Sequence, residues 1–154
     1  TNMDSAFKSS TEEFLRDENS RYIIIPSAVS SSPKSHINFN IDQRVGCSSI
    51  QQSHNVNSEI LVSNVNLKEI IDLIPDKYHY IDHLKIDCEG LDIDVIKSAE
   101  ESIKRFVVVS TELRADYALE PLGFEFIQSQ PGSFSYVNKS KKDILGSIDY
   151  KVRV

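Results

Sequence analysis

The period of apolar and polar positions changes several times along the chain, and each change marks an element. Phe7, Phe14 and Leu15 stand among charges within residues 5–18, which suits a short amphipathic helix. Tyr22-Ile23-Ile24-Ile25 is an apolar, largely β-branched run that Pro26 ends or pushes to a sheet edge, so a strand is predicted from about Tyr22 to Val29. A Ser/Pro loop, Ser30 to Ser35, separates it from His36-Ile37-Asn38-Phe39-Asn40-Ile41, whose alternation is that of a half-buried strand. Asp42 to Asn57 is polar, with Gly46 and five serines or glutamines in Ser48–Ser53, and forms the longest expected loop. Glu59 to Asn64 predicts a short strand. Asn66 then precedes Glu69 by three residues, the spacing of a reciprocal helix cap. Leu67, Ile70, Ile71 and Ile74 recur at helical spacing until Pro75 stops them.

Downstream, Leu84 to Cys88 predicts a strand that Gly90 breaks. Leu91, Val95, Ile96, Ala99 and Ile103 form one helical face, with Asp92 and Asp94 in the first turn, where the helix dipole favours negative charge. Phe106-Val107-Val108-Val109 is a continuous apolar run, as expected of a strand covered on both faces. Tyr117–Leu122 reads as a short helix ending at Gly123. Phe124–Ile127 and Phe134–Val137 flank Pro131-Gly132, a hairpin signal. From Lys139 the chain is basic and then apolar, which reads as a loop and a last short strand. Strands alternating with helices, closed by a hairpin, predict one α/β domain over 1–154, with a partly parallel sheet and a C-terminal antiparallel hairpin.

Composition narrows the function. With 154 residues, 40% hydrophobic and 26% charged, the chain can bury one sizeable core. A formal charge of −6 argues against nucleic acid or an anionic membrane surface as a partner. No apolar run approaches the roughly 18 residues that span a bilayer. The opening Thr-Asn-Met-Asp is neither a signal nor a transit peptide, and without an initiating Met the chain is read as part of a longer protein. Cys47 and Cys88 are too few for a disulfide scaffold and lean towards a reducing, cytoplasmic compartment.

Ligands of open α/β sheets bind beyond the carboxyl ends of the strands, which ranks the candidate residues. Asp87 is expected to end the strand Leu84–Cys88, with Glu89 two residues on. Glu112 follows the strand begun at Phe106. A carboxylate on that rim can take a proton from a hydroxyl, hold an amine or bind a cation. The residues alone leave a bland alternative: Asp87 or Glu89 caps the helix beginning at Leu91, Glu112 is an exposed strand end, Lys85 is structural, and Cys88 packs as a small apolar residue. His36, His54, His79 and His83 have no ligand spacing on a predicted helix or strand, which argues against a zinc site. No GxSxG is present. Nor do any two of the five glycines form a GxG, so a dinucleotide loop and a P-loop are both excluded.

The stretch His83-Leu84-Lys85-Ile86-Asp87-Cys88-Glu89-Gly90-Leu91, continued by Asp92-Ile93-Asp94-Val95-Ile96-Lys97, resembles the "lKIDvEG" strand and following helix of FkbM-type methyltransferases. Other pieces fall in the same order. Ile25–Ser30 is similar to the family's third strand with its "AvS" ending. Ile37–Ile41 with Gly46-Cys47-Ser48-Ser49-Ile50 is similar to its inserted strand and "GsSSl" loop. Val62–Ile71, Val107–Glu112 and Leu122-Gly123-Phe124 resemble its next strand and helix, its fifth strand and the start of its last hairpin. The resemblance spans about residues 1 to 138. It implies a class I (Rossmann-like) methyltransferase sheet and transfer of a methyl group from S-adenosylmethionine to a hydroxyl of a sugar or other small molecule. It also implies that Asp87 and Glu89 lie beside methyl donor and acceptor as catalytic residues, and that Ser27, Ala28 and Val29 lie near the adenine. The family's first strand and glycine loop would precede Thr1. An upstream segment or a second chain is therefore expected to complete the sheet. Two alternatives accompany this reading: a non-catalytic binding or interaction module derived from the fold, and a divalent cation held by Asp87 and Glu89.

Overall fold

In a computed structural model the described residues are 25–42, 50, 56–88 and 90–145. The helix expected within residues 5–18, the run Tyr22–Ile24, most of the polar loop, Glu89 and the tail from Gly146 lie outside them.

Among the described residues seven strands form two sheets where one was expected. β1 (Ala28–Val29), β2 (His36–Asp42) and β3 (Val56–Val65) make the first, in the order β1-β3-β2, with β1 parallel and β2 antiparallel to β3. The second contains β4 (Ile81–Lys85), β5 (Phe106–Thr111), β6 (Phe124–Gln130) and β7 (Ser133–Asn138), in the order β4-β5-β7-β6. Here β4 and β5 are parallel and the other pairs antiparallel, so the expected parallel core pair and terminal hairpin are both present.

Helix α1 (Leu67–Asp72) begins as its sequence predicts. Asn66 accepts from the Glu69 N–H at 2.9 Å, and the Glu69 carboxylate accepts from the Asn66 N–H at 3.0 Å. Beyond its other end the Arg105 guanidinium donates to the carbonyls of Ile71, Ile74, Pro75 and Tyr78, tying the last turn of the helix and the chain after it to the 3-10 turn Glu100–Arg105. The helical face read over Leu91–Ile103 divides into α2 (Asp92–Ser98) and a tighter 3-10 turn, Glu100–Arg105. The change falls at Glu100, whose φ of 50° interrupts α-helical winding, and it carries Ile103 into the core and Arg105 against α1.

Three further boundaries depart from expectation. β4 runs over Ile81–Lys85, not Leu84–Cys88, because its ladder with β5 pairs Ile81 with Phe106 and Lys85 with Ser110. Asp82 and His83 are exposed, so this half of the strand carries no apolar signature. β3 begins at Val56, inside the stretch read as loop. Lys139–Lys141 is a 3-10 turn and α4 spans Lys142–Leu145, where the basic stretch reads as loop, and most of the apolar tail expected to form a last strand lies outside the described residues. Between β5 and β6, α3 (Asp116–Leu119) and a short 3-10 turn end at Gly123, whose φ of 90° is a left-handed conformation suited to glycine.

One core joins the two sheets. Leu67 and Ile71 of α1, Val95 and Ile96 of α2, Ile103, Val109 and Tyr136 pack together, with Val29 of the first sheet against them. All six residues of β5 are buried, as its unbroken apolar run predicts.

Candidate active site

The carboxyl ends of β4 and β5 point to the same rim, and the turn into α2 crosses it. The Ile86 N–H donates to the Ser110 carbonyl at 2.8 Å, after which the chain leaves the sheet. Asp87 therefore stands two residues beyond β4 and does not end it. Gly90, with φ of 89°, turns the chain, and the Leu91 N–H closes on the Cys88 carbonyl at 3.3 Å.

Asp87 is exposed and pairs with Lys85 at 3.5 Å. The capping alternative does not hold for it: the residue at the N-cap of α2 is Leu91, with no side-chain cap bond. Glu89 lies outside the described residues. Cys88 packs against the core as expected of a small apolar residue. Its thiol is pushed up to about 12, first by burial and then by the negative charges of Asp92, Asp87 and Glu112, so it stays protonated at neutral pH.

The more informative carboxylate is Asp92. It is fully buried, and its Oδ1 accepts from the Glu112 N–H at 2.8 Å, locking the start of α2 to the end of β5. Its Oδ2 and the Oε2 of Glu112 are both buried without a hydrogen-bond partner. Glu112 is thus half-buried and not the exposed strand end expected. Asp94, one turn position on, accepts from the Ser31 N–H at 2.8 Å and from the Ser31 hydroxyl, tying the loop after β1 to the same helix start. Sequence gave Asp92 and Asp94 only a dipole role. Their spacing carries no sign that each clamps a different strand's exit.

Ser27 shares a 2.7 Å hydroxyl contact with Ser63, and Ala28 and Val29 are half-buried in β1. The Ser31–Asp94 bonds join the stretch that follows these residues to the turn that follows Asp87. The loop after β5 is held by the Tyr136 hydroxyl, which accepts from the Ala115 N–H at 2.8 Å. Behind Asp87, His83 Nε2 lies 2.9 Å from Ser110 Oγ, itself 2.9 Å from Ser135 Oγ, a polar row across β4, β5 and β7. Burial and then the Lys85 charge hold the His83 imidazole below its ordinary pKa. Among the described residues no three His, Cys, Asp or Glu side chains are grouped to hold a metal ion.

A mixed α/β protein with carboxylates at the carboxyl ends of parallel strands has them where open α/β sheets place their ligands. The sequence profile of the methyltransferase FkbM domain matches residues 8–129, and the chain belongs to that family. No curated protein and no solved structure matches the chain. The rim fits S-adenosylmethionine in one respect that the structure itself supplies: unpartnered buried acceptors on Asp92 and Glu112 suit a ligand that brings N–H and O–H donors.

Proposed function

We propose that this protein is an S-adenosylmethionine-dependent methyltransferase acting on a hydroxyl oxygen of a sugar or other small molecule. The observation that carries the reading is Asp87. It lies within the family-matched segment, just past a parallel strand, exposed on the rim and steadied by Lys85. The bound donor supplies an electrophilic methyl on a sulfonium sulfur. The work left to the protein is alignment, which accounts for much of the rate of such displacements. Asp87 and Glu89 orient the acceptor hydroxyl. As its oxygen takes the methyl and the carbon–sulfur bond breaks, the hydroxyl proton passes to the Asp87 carboxylate. Ser27, Ala28 and Val29 line the edge on which the adenine rests. Asp92 and Asp94 hold the β5 and β1 exits in register with the Asp87 turn.

The test is transfer of labelled methyl from S-adenosylmethionine to a panel of mono- and disaccharides. Label on the sugar supports the reading. Its absence from every acceptor, with no S-adenosylhomocysteine formed, contradicts it. A second reading, a binding module built on the same fold, is favoured by the lack of any GxG among the 154 residues. It predicts a ligand bound but never methylated.

A further inference from the structure

We infer that Asp92 and Glu112 form a subsite for a hydrogen-bond donor, a hydroxyl or an ammonium, and that this subsite rejects anionic groups. The inference rests on the rim being the ligand site, as proposed above, and it specifies the chemistry that the rim accepts.

Three observations converge. Asp92 is fully buried, yet only one of its oxygens is used: Oδ1 takes the Glu112 N–H and Oδ2 has no partner. Glu112, held against it by that same bond, also buries an oxygen, Oε2, with no partner. The negative charges of both carboxylates also help hold the Cys88 thiol up, after burial. Folded proteins satisfy nearly all buried acceptors, and two that lack a partner among the described residues, on residues joined by one hydrogen bond at a strand-end rim, are met by a donor from outside. Oδ2 and Oε2 are acceptor atoms, so the visitor brings O–H or N–H, and a second acceptor group such as a carboxylate is disfavoured there. The donor has two possible sources, the cosubstrate's amine and hydroxyls or the acceptor's own hydroxyls and amines.

Cys88 is a built-in reporter. In a Cys47→Ser background, its alkylation by iodoacetamide at pH 8 is followed with and without Asp92→Asn and Glu112→Gln. Glu112→Gln removes no described hydrogen bond, and Asp92→Asn keeps the acceptor for the Glu112 N–H. Each is expected to accelerate alkylation roughly threefold or more, because every thiol pKa unit regained multiplies the thiolate about tenfold. S-adenosylmethionine, glucosamine and glucuronate are then added separately as probes. Protection by glucosamine or by S-adenosylmethionine, lost in both variants and absent with glucuronate, supports the subsite, and whichever probe protects identifies the source. An unchanged rate in Asp92→Asn would mean that the two carboxylates share a proton and need no visitor, which overturns the inference. So would equal protection by glucuronate, protection that survives both substitutions, or no protection by either donor probe. If S-adenosylmethionine fails to bind the unsubstituted protein while glucosamine still protects through these carboxylates, the methyl-transfer reading falls and the subsite stands.

Discussion

At the scale of single residues, the rim carries an exposed carboxylate, Asp87, beside two carboxylates, Asp92 and Asp94, that bond to neighbouring strand exits. Asp87 is exposed and, among the described residues, is tied to Lys85 alone, so its replacement disturbs little packing. Asp87→Asn is expected to lower kcat by about 10²–10⁴-fold, the usual range for loss of a general base, with the melting temperature nearly unchanged. Steady-state kinetics beside a thermal melt checks both halves. His83 gives a pH prediction. Its folded pKa is depressed, by burial first and by Lys85 second. Below the ordinary value of 6.5 the unfolded chain therefore binds more protons than the folded one, and stability falls as pH drops through that value. His83→Gln should flatten the melting temperature between pH 7 and pH 5, and an unaltered slope would assign the pH dependence to other groups.

At the scale of elements, caps and turns hold what the apolar pattern outlines. Asn66→Ala removes one side of the reciprocal cap on α1 and should cost about 1 kcal/mol, a drop of about 2–4 °C in the melting temperature for a chain of this size. Gly123→Ala forces a side chain into φ of 90° and should cost a comparable amount by urea titration, although open space surrounds that position. The α1 cap and the Pro131-Gly132 turn were legible because each is a local signature in which spacing alone implies the bond. The start of β5 was legible too, because the apolar run Phe106–Val109 is itself a local signature of a buried strand. The start of β4 was not, because Asp82 and His83 break the apolar pattern there and the ladder with β5 is what shows that they are strand. The break at Glu100 was also hidden, since the same apolar spacing serves a helix and the 3-10 turn that continues it. In the site, Asp87 was legible through its motif. The clamp formed by Asp92 was not, because its partner is a backbone N–H twenty residues away.

At the scale of the molecule, two sheets share one core, and the exits of β1, β4 and β5 are drawn to the start of α2 by Asp92 and Asp94. This convergence brings together the residues of the proposed site, Ser27–Val29 at one end and Asp87 to Glu112 at the other. Family membership supplies the chemistry, and the rim supplies the place for it. The central claim is that the rim receives S-adenosylmethionine, and isothermal titration of the protein with that cosubstrate tests it most directly. The account predicts saturable binding that Glu112→Gln weakens or that S-adenosylhomocysteine displaces. No binding heat across a range of temperatures, with the protein shown folded by circular dichroism, would contradict it.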